Sequence, residues 1–299
     1  MTHSGELIGL DIGGSTTRGV LFRGGQAVRH SRGPSANVQN VSPEAAAAAL
    51  REVFRGLAAE PSVPVVAGAG GVDTPADAAR LEALIRSVSG VSSEVPVTAV
   101  HDTRLILAAG GHTTGIAVIA GTGSVAWGID STGRERRAGG WGHLLGDEGS
   151  GYWLGRETVR AVLRANQREP GAAPDPFTRA VLLHTGVPSA VDLIAAFHDR
   201  PERSFWASLS RTVVEYAAGG DDTALDLTHR AADELHALVM TVAEHLDGPL
   251  PVVLGGGLAR TPVGDRLKEL LAESDVSDVT VLDREPVLGA PVLAQAIWG

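Results

Sequence analysis

Two glycine-rich turns in the sequence have the residue types of phosphate-binding hairpins. The first, DIGGSTTR from Asp11 to Arg18, joins two short apolar runs, and the second, IAGTGSVAW, places Gly121, Thr122 and Gly123 between two more. Glycines allow backbone N–H groups to approach an anion without a Cβ in the way. Either turn alone is also explained as a tight hairpin that needs glycine for a positive φ. Because there are two, we interpret them as a pair that holds a triphosphate from both sides.

The first turn adds an acid and several hydroxyl groups to its glycines. Asp11, at the end of the first apolar run, can hold Mg²⁺ through water. The candidate phosphate donors that follow it are Gly13, Gly14, Ser15, Thr16 and Thr17. This composition predicts that nucleotide phosphates and their metal meet at one turn.

Between the two turns, the apolar run VTAVHDTR ends in Asp102. Carboxylates at the ends of parallel strands face the ligand crevice of α/β sheets, and one there can accept the proton of a substrate hydroxyl during phosphoryl transfer. The competing interpretation makes Asp102 a helix N-cap, because LILAAG follows it. His101 is expected to point to the opposite face and pack.

A glycine-rich segment at residues 138 to 155, AGGWGHLLGDEGSGYWLG, contains a tryptophan, a histidine and two adjacent acids. Glycines and tryptophan suit a loop that lies against a sugar ring, and Asp147 can bind sugar hydroxyls. The alternative is a structural loop, in which His143 is a core histidine. We interpret the segment as a sugar-binding loop.

A third glycine cluster, VVLGGGLART at residues 252 to 261, predicts a strand, a turn and a helix that begins near Thr261 and Pro262. Such a turn can carry an adenine or a ribose. The glycines concerned are Gly255, Gly256 and Gly257.

The elements around these motifs alternate between strands and helices. Strands are expected at residues 6–11, 17–23, 64–68, 96–101, 115–120, 124–130, 250–255 and 279–282. Ser42 with Pro43 and Thr74 with Pro75 predict helix N-termini, and Gly90 predicts the end of the second helix. EPGAAPDP at 169–176 is expected to interrupt helical sequence on the surface. The pattern predicts two similarly built α/β halves.

Composition limits the ligands and the location of the protein. The chain has 299 residues, a formal net charge of −10 and no cysteine. That length favours two domains, the charge argues against a nucleic-acid partner, and the missing cysteines exclude disulfides, thiolate catalysis and thiolate metal sites. The histidines have no metal-ligand spacing, so no structural metal is expected. Without a signal peptide or membrane-span pattern, we expect a cytoplasmic protein that does not associate with membranes.

The order DIGGSTTR, NV, VHD, AGTGS, GGWGHLLGDEGS, LGGG resembles the BadF/BadG/BcrA/BcrD-type ATPases of the actin and hexokinase superfamily, and within them the N-acetylglucosamine kinases. GGWGHLLGDEGS is the most specific element. The resemblance implies an α/β, two-lobed actin/hexokinase-like (ribonuclease H-like) fold with a central cleft. Its lobes would be residues 1–112, with a C-terminal helix at 288–299 packed back on them, and residues 113–287.

The same resemblance implies a role for each motif. Asp102 would be the catalytic base, and Asn37 falls where the family has an asparagine that binds sugar hydroxyls. The phosphates would be lined by Gly13, Gly14, Ser15, Thr16, Gly121, Thr122 and Gly123, the adenosine by Gly255, Gly256 and Gly257, and the sugar by Asn37, Asp102, Gly140, Trp141, Gly142 and Asp147. Ser15 replaces a more usual threonine, which should preserve hydroxyl donation.

The expected activity is therefore transfer of the γ-phosphate of Mg-ATP to the 6-hydroxyl of N-acetylglucosamine, by a homodimer. Glucosamine and N-acetylmuramic acid remain alternative acceptors, since the sequence does not decide between an acetamido group and a free amine. A sugar-responsive protein without turnover and a partner-coupled ATPase also remain open. The dehydratase-activating branch of the family is excluded, because it holds an iron–sulfur cluster through cysteines.

Overall fold

The computed structural model describes residues 5–200 and 202–299. The strands are β1 (Glu6–Ile12), β2 (Thr16–Arg23), β3 (Gln26–Pro34), β4 (Val65–Ala69), β5 (Val97–His101), β6 (Gly115–Ala120), β7 (Ser124–Ile129), β8 (Glu135–Gly139), β9 (Val252–Gly255) and β10 (Val279–Val281). The helices are α1 (Pro43–Leu57), α2 (Pro75–Ser89), α3 (Asp102–Ala109), α4 (Gly151–Arg168), α5 (Pro176–Thr185), α6 (Asp192–Asp199), α7 (Arg203–Ala218), α8 (Asp222–Ala243), α9 (Pro262–Glu273) and α10 (Ala290–Trp298). Short 3₁₀ turns occupy Gly257–Arg260 and Pro286–Gly289.

The chain divides into two compact units. The first comprises Met1–Thr114 together with Leu282–Gly299, and the second comprises Gly115–Val281.

The first unit is built on a mixed sheet in the order β3-β2-β1-β4-β5. β1 pairs antiparallel with β2 and parallel with β4, and β4 pairs parallel with β5. On one face Leu10 and Ile12 of β1 share a core with the buried sides of α1 and α2. On the other face α10 contributes Ala290 and Leu293 to a second core. The parallel strands β1, β4 and β5 end at one edge, which carries Asp11 and Asp102.

The second unit repeats this topology, with the order β10-β9-β6-β7-β8. β6 pairs antiparallel with β7 and parallel with β9, just as β1 pairs with β2 and β4. A large core, which includes Leu154, Phe177 and Trp206, joins this sheet to its helices. The predicted α/β architecture with two similarly built halves is confirmed.

The helix boundaries follow local signals in the sequence. Ser42 accepts a hydrogen bond from the N–H of Ala45 at the start of α1, and Thr74 forms a reciprocal capping box with Asp77 at the start of α2. Gly90 ends α2 in the left-handed conformation. The stretch 169–176 is exposed between α4 and α5, as predicted.

Two strands, β3 and β8, were not predicted from the sequence. Most residues of β3 are exposed, and β8 begins with exposed residues, so neither has the apolar pattern that reveals a strand. Both are edge strands, in which polar residues are common. Within residues 5–200 and 202–299, no helix combines the length and apolar character needed to cross a lipid bilayer.

Candidate active site

The first hairpin, Asp11–Arg18, is the tight connection between β1 and β2. The N–H of Gly13 donates to the carbonyl of Thr16 (3.0 Å), and the hydroxyl of Ser35 donates to the carbonyl of Gly13 (2.8 Å). In the described part of the chain, the N–H groups of Gly14 and Ser15 donate to no protein acceptor. Two successive backbone donors at a turn of this kind suit an anion.

Of the hydroxyl groups predicted here, that of Thr17 has a structural role. Thr17 is fully buried, and its Oγ1 accepts the N–H of Ala36 (2.9 Å). The side chains of Ser15 and Thr16 are partly or fully exposed at the turn, where a ligand can reach them.

Asp11 lies at the end of β1 and is almost fully buried, with 8% of its surface exposed. Burial raises the pKa of its carboxyl to about 6, assisted by the negative charge of Asp102 and opposed by Arg18. Arg18 approaches Asp11 at 3.6 Å and also pairs with Glu285 at 3.1 Å. Asp11 is thus buried and has Arg18 as a cationic partner at 3.6 Å, which leaves its carboxylate able to bind a further cation.

Asp102, Asn37 and Gly70 come together beside this hairpin. Asn37 donates from Nδ2 to the carbonyl of Gly70 (2.8 Å), and its Oδ1 accepts the N–H of Gln39 (2.9 Å). A Cβ on Gly70 would lie 3.3 Å from Oδ2 of Asp102 and 3.5 Å from Nδ2 of Asn37. Any larger residue at position 70 would therefore contact both predicted sugar-binding side chains.

The interpretation of Asp102 as a helix N-cap is wrong. α3 begins at Asp102, and its N-cap is His101, whose ring Nδ1 accepts the N–H of Thr103 (3.3 Å). Burial raises the pKa of Asp102, and the charges of His101 and Asp73 act on it in opposite directions. Its Oδ1 is buried and makes no hydrogen bond with any described residue.

The expectation that His101 packs on the opposite face is also wrong. Its Nδ1 lies 3.1 Å from Oδ1 of Asp102, and its Nε2 lies 3.7 Å from Oδ1 of Asp73. The ring faces the carboxylates because His101 is the N-cap of α3, which begins at the next residue. The alternation of side chains along β5 therefore does not set the direction of this one.

The second hairpin joins β6 and β7 and is held by the start of α4. The first two N–H groups of that helix donate to the hairpin, from Gly151 to the carbonyl of Gly121 (2.8 Å) and from Tyr152 to that of Thr122 (3.2 Å). Within residues 5–200 and 202–299, no protein acceptor takes the N–H of Thr122 or Gly123. The start of α4 thus donates hydrogen bonds to the carbonyls of the hairpin, while the N–H groups of Thr122 and Gly123 can donate to an anion.

Asp147 is part of the same cluster in the second unit. It is 3% exposed and has a positive φ of 59°, and a Cβ on Gly123 would lie 2.7 Å from its Oδ2. This oxygen has no hydrogen-bond partner among the described residues, and Nη1 of Arg203 is 3.7 Å away. Burial raises the pKa of Asp147. A buried carboxylate oxygen in this state suits a ligand hydroxyl as donor.

The rest of the predicted sugar loop is open to solvent. Trp141 is 64% exposed, and Gly140 and Gly142 on either side of it have positive φ values of 70° and 81°. The ring of His143 contacts Tyr152 edge-on at 4.9 Å. Most of the surface of the Trp141 indole is not buried in the core of its own unit and can therefore contact a ligand.

The glycine turn, Gly255–Gly257, follows β9. Gly256 has a φ of 91°, and a Cβ there would lie 2.4 Å from the carbonyl of Ala120, so the turn lies directly against the strand before the second hairpin. Beside it is a cavity of about 660 Å³ that reaches from Gly121 and Thr122 to Gly257 and Thr261. The cavity joins the predicted phosphate and adenosine residues of this unit.

The opposite wall of this cavity is α7, which the sequence analysis did not single out. Polar residues face the cavity along the helix at Ser204, Ser208, Arg211 and Glu215. A polar stripe at helical spacing is also what an ordinary solvent-exposed face shows, so the sequence carried no specific signal. The turn GAGGVD after β4, with Gly70 and Asp73, was missed as well, although its paired glycines resemble the other turns.

The model of the BadF/BadG/BcrA/BcrD ATPase family matches residues 8–294 of the chain. This protein belongs to that family. The resemblance read from the motifs is confirmed, and membership in a family of ATPases makes ATP the nucleotide of the chain. The matched range contains every candidate residue described above.

Individual family relatives cover most of the chain. It is 28% identical to the N-acetyl-D-glucosamine kinase of Dictyostelium discoideum, over 96% of this chain and 97% of that one. It is 31% identical to the N-acetylmuramic acid/N-acetylglucosamine kinase of Clostridium acetobutylicum, over 80% of each. The crystal structure of a candidate N-acetylglucosamine kinase from Chromobacterium violaceum matches with a TM-score of 0.71 and 26% identity, over 98% and 99% of the two chains. The expected sugar-kinase fold of the actin and hexokinase type is confirmed.

Proposed function

We propose that this protein is an ATP-dependent kinase that phosphorylates the 6-hydroxyl of N-acetylglucosamine. The kinases to which it is similar act on N-acetylglucosamine or on both that sugar and N-acetylmuramic acid. The observation that carries the proposal is the arrangement of Asp102, Asn37 and Gly70, where the Asp102 carboxylate, 20% exposed, and the Asn37 amide both lie next to a glycine. This is the arrangement that a sugar hydroxyl needs in order to be held and deprotonated.

In the proposed reaction, Oδ2 of Asp102 accepts the proton of the acceptor hydroxyl as its oxygen bonds to the γ-phosphorus. The bond from that phosphorus to the bridging oxygen of ATP breaks, and ADP leaves. The raised pKa of Asp102 supports this role, because a base with a pKa nearer neutrality takes up a proton more readily. The N–H groups of Gly14, Ser15, Thr122 and Gly123 are the proposed donors to phosphate oxygens.

Asp11 is the residue that we propose for magnesium. Among the described residues, no group of three or more His, Cys, Asp or Glu side chains is placed to hold a metal. Mg²⁺ in phosphoryl-transfer sites commonly uses one or two carboxylates together with phosphate oxygens and water. The buried Asp11 beside the first hairpin fits that donor set. When bound, the ion would neutralise phosphate charge.

In the first unit, Asn37 and Asp102 are the residues that we propose for sugar binding. In the second unit, the proposed sugar-binding residues are Asp147 and the Gly140–Trp141–Gly142 stretch. Asp147 offers a buried acceptor oxygen, and Trp141 offers an exposed ring face. N-acetylglucosamine is the first choice because both kinase relatives act on it. N-acetylmuramic acid and glucosamine are the alternative acceptors.

The adenosine is proposed to occupy the cavity of about 660 Å³ between the glycine turn and α7. Its volume lies in the range of small-molecule pockets, and it ends at the second hairpin, where the phosphates are proposed to bind. We also propose that the protein acts as a homodimer in the cytoplasm, where ATP is available. Light scattering after gel filtration tests the dimer, and cell fractionation tests the location.

The experiment is a coupled ADP-release assay with N-acetylglucosamine, N-acetylmuramic acid, glucosamine, glucose and no sugar. The expected result is rapid turnover with N-acetylglucosamine and slow ATP hydrolysis without sugar. Equal ATP turnover with and without sugars would instead indicate an ATPase coupled to a partner, and sugar binding without turnover would indicate a sensor.

The catalytic step is tested with Asp102→Asn, which is expected to lower kcat by about 100-fold or more while sugar and nucleotide still bind. Asp226→Asn, at an exposed carboxylate on α8, is the matched control and should keep wild-type kcat. NMR of the product distinguishes a 6-phosphate from other positions.

A further inference from the structure

Arg203, the first residue of α7, places a positive charge beside the second hairpin. Its Nη1 lies 3.7 Å from Oδ2 of Asp147, and a Cβ on Gly123 would lie 2.7 Å from that same oxygen. The side chain of Arg203 is 41% exposed, so its guanidinium can also contact a ligand. Only one carboxylate oxygen therefore separates this cation from a glycine whose N–H group we propose as a phosphate donor.

The spacing of residues along α7 places Arg203 in line with one wall of the cavity of about 660 Å³. Ala207, Ser210 and Val214 line this cavity, and they follow Arg203 at steps of four, three and four residues. Residues three or four apart lie on the same face of an α-helix. Arg203 is therefore the first residue of the row whose later members form the cavity wall.

The beginning of α7 packs at the end of the cavity that the second hairpin forms. A Cβ on Gly151, the first residue of α4, would lie 3.2 Å from the carbonyl oxygen of Gly121 in the hairpin. The same Cβ would lie 3.3 Å from the carbonyl oxygen of Ala207 and 3.4 Å from Oγ of Ser210, both on α7. Since Arg203 is one helical turn before Ala207, its backbone lies at the hairpin end of the cavity.

The hairpin residues Gly121, Thr122 and Gly123 offer hydrogen-bond donors but no full positive charge. A guanidinium remains protonated at all physiological pH values, and its planar fork of N–H groups matches the oxygens of a phosphate group. Arg203 lies close to Gly123, proposed for phosphate, and to Asp147, proposed for the sugar. A cation in this place is suited to the phosphate that is transferred.

We propose that Arg203 binds the β- and γ-phosphates of ATP and neutralises negative charge while the γ-phosphoryl group is transferred. This inference rests on the proposed function, in which the second hairpin binds the phosphates. The acceptor oxygen bonds to the γ-phosphorus as the bond to the bridging oxygen breaks, and that oxygen leaves with ADP. The acceptor proton goes to Asp102, and Arg203 donates hydrogen bonds to phosphate oxygens without giving up a proton.

The test measures the binding of adenosine, AMP, ADP and the non-hydrolysable analogue AMP-PNP, each with Mg²⁺, by isothermal titration calorimetry. Arg203→Met keeps an apolar stem and removes the charge. We expect it to raise the Kd for AMP-PNP about 10-fold or more, with a rise for ADP and changes within about 2-fold for adenosine and AMP. Equal losses for all four ligands, or an unchanged Kd for AMP-PNP, would overturn the proposal.

Two further variants control for charge and folding. Arg203→Lys keeps the positive charge without the planar fork, so it should recover part of the affinity for AMP-PNP. Arg179→Met removes an exposed arginine from α5 in the same unit and should leave all four Kd values unchanged. An equal loss of AMP-PNP affinity in Arg179→Met would attribute the effect to net charge and would overturn the proposal. Thermal unfolding of each variant checks that the fold persists.

Kinetics with N-acetylglucosamine separates this inference from the proposed function. Arg203→Met should lower kcat about 10-fold or more and keep the KM for the sugar within about 3-fold of wild type. If the protein phosphorylates the sugar and Arg203→Met binds AMP-PNP like wild type, the inference alone fails. If no sugar is phosphorylated, a loss confined to ADP and AMP-PNP still supports the inference, while the proposed function fails.

Discussion

The carboxylate of Asp147 packs directly against the α-carbon of Gly123, since a Cβ at that glycine would lie 2.7 Å from Oδ2 of Asp147. Gly123 was predicted to bind phosphate and Asp147 to bind sugar. In the second unit the two residues form one cluster, which the N–H groups of Gly151 and Tyr152 hold in place through Gly121 and Thr122. The phosphate donor and the sugar acceptor of the proposed reaction would therefore bind to neighbouring residues of this unit.

Gly123→Ala should lower kcat/KM by about 100-fold, because the added methyl group must displace a buried carboxylate at the point where both substrates are proposed to bind. Steady-state kinetics checks the loss, and circular dichroism checks that the fold persists. Gly219→Ala is the control, since a Cβ there meets only ordinary contacts, the nearest at 3.4 Å. Full activity in Gly123→Ala would show that the packing of Asp147 on the hairpin is dispensable.

Asp11→Asn should stabilise the nucleotide-free protein at pH 8. The folded-state pKa of about 6 lies above the ordinary 3.8, so the contribution of Asp11 to stability is greatest below pH 3.8 and is lost as the pH rises through about 6. A pKa shift of this size corresponds to a loss of about 2 to 3 kcal/mol in the free energy of unfolding at high pH. Asparagine has no charge to bury and therefore avoids that loss. Thermal unfolding should show a higher Tm for the variant at pH 8 and a shrinking difference toward pH 4.

Asp77→Asn is expected to change the Tm at pH 8 in the opposite direction. The Asp77 carboxylate accepts hydrogen bonds from Thr74 in the capping box, and these hold the pKa of Asp77 below its usual range. Its replacement should lower the Tm at pH 8. A lower or unchanged Tm for Asp11→Asn at pH 8 would contradict the burial of an unfavourable charge at Asp11.

Arg211→Ala and Glu215→Gln should each raise the KM for ATP about 10-fold and leave the KM for the sugar within about 2-fold. The reason is that both side chains line the cavity proposed for adenosine, on the wall that faces the glycine turn. Thr212→Ala, on the same helix but outside the cavity lining, is the matched control. Equal effects on both KM values would place the nucleotide elsewhere.

Trp141→Ala should raise the KM for N-acetylglucosamine about 10-fold or more without lowering the Tm, since its side chain is 64% exposed and little core packing is lost. Differential scanning fluorimetry and kinetics on the same preparation give both values. Leu183→Ala removes an apolar side chain that is 85% exposed on α5 and should change neither. A fall in Tm with unchanged KM would make Trp141 a packing residue.

Local features of this protein could be predicted from its sequence because their physical causes are local. Ser42 and Thr74 cap their helices through hydrogen bonds that span three residues. The hairpins at Asp11–Arg18 and Gly121–Gly123 need only neighbouring apolar runs and glycines between them. The repeated order of strands and helices also follows from the chain itself, and with it the two similar α/β halves.

The direction in which a side chain points was harder to predict than the strand or helix to which its residue belongs. Alternation along β5 turned His101 away from Asp102, but the helix starts at that residue and the ring caps it instead. The polar stripe of α7 has the same composition whether it faces water or a cavity. The side on which the α7 stripe faces a cavity is set by α7's packing against the glycine turn, far from it in sequence.

The sequence by itself determined the family, the glycine turns and the acids that could do phosphoryl-transfer chemistry. The tertiary structure alone decided which groups touch, such as Asp147 with Gly123 and His101 with Asp73. The physical reason is that these contacts join segments far apart in the chain, whose approach is set by the packing of whole sheets and helices.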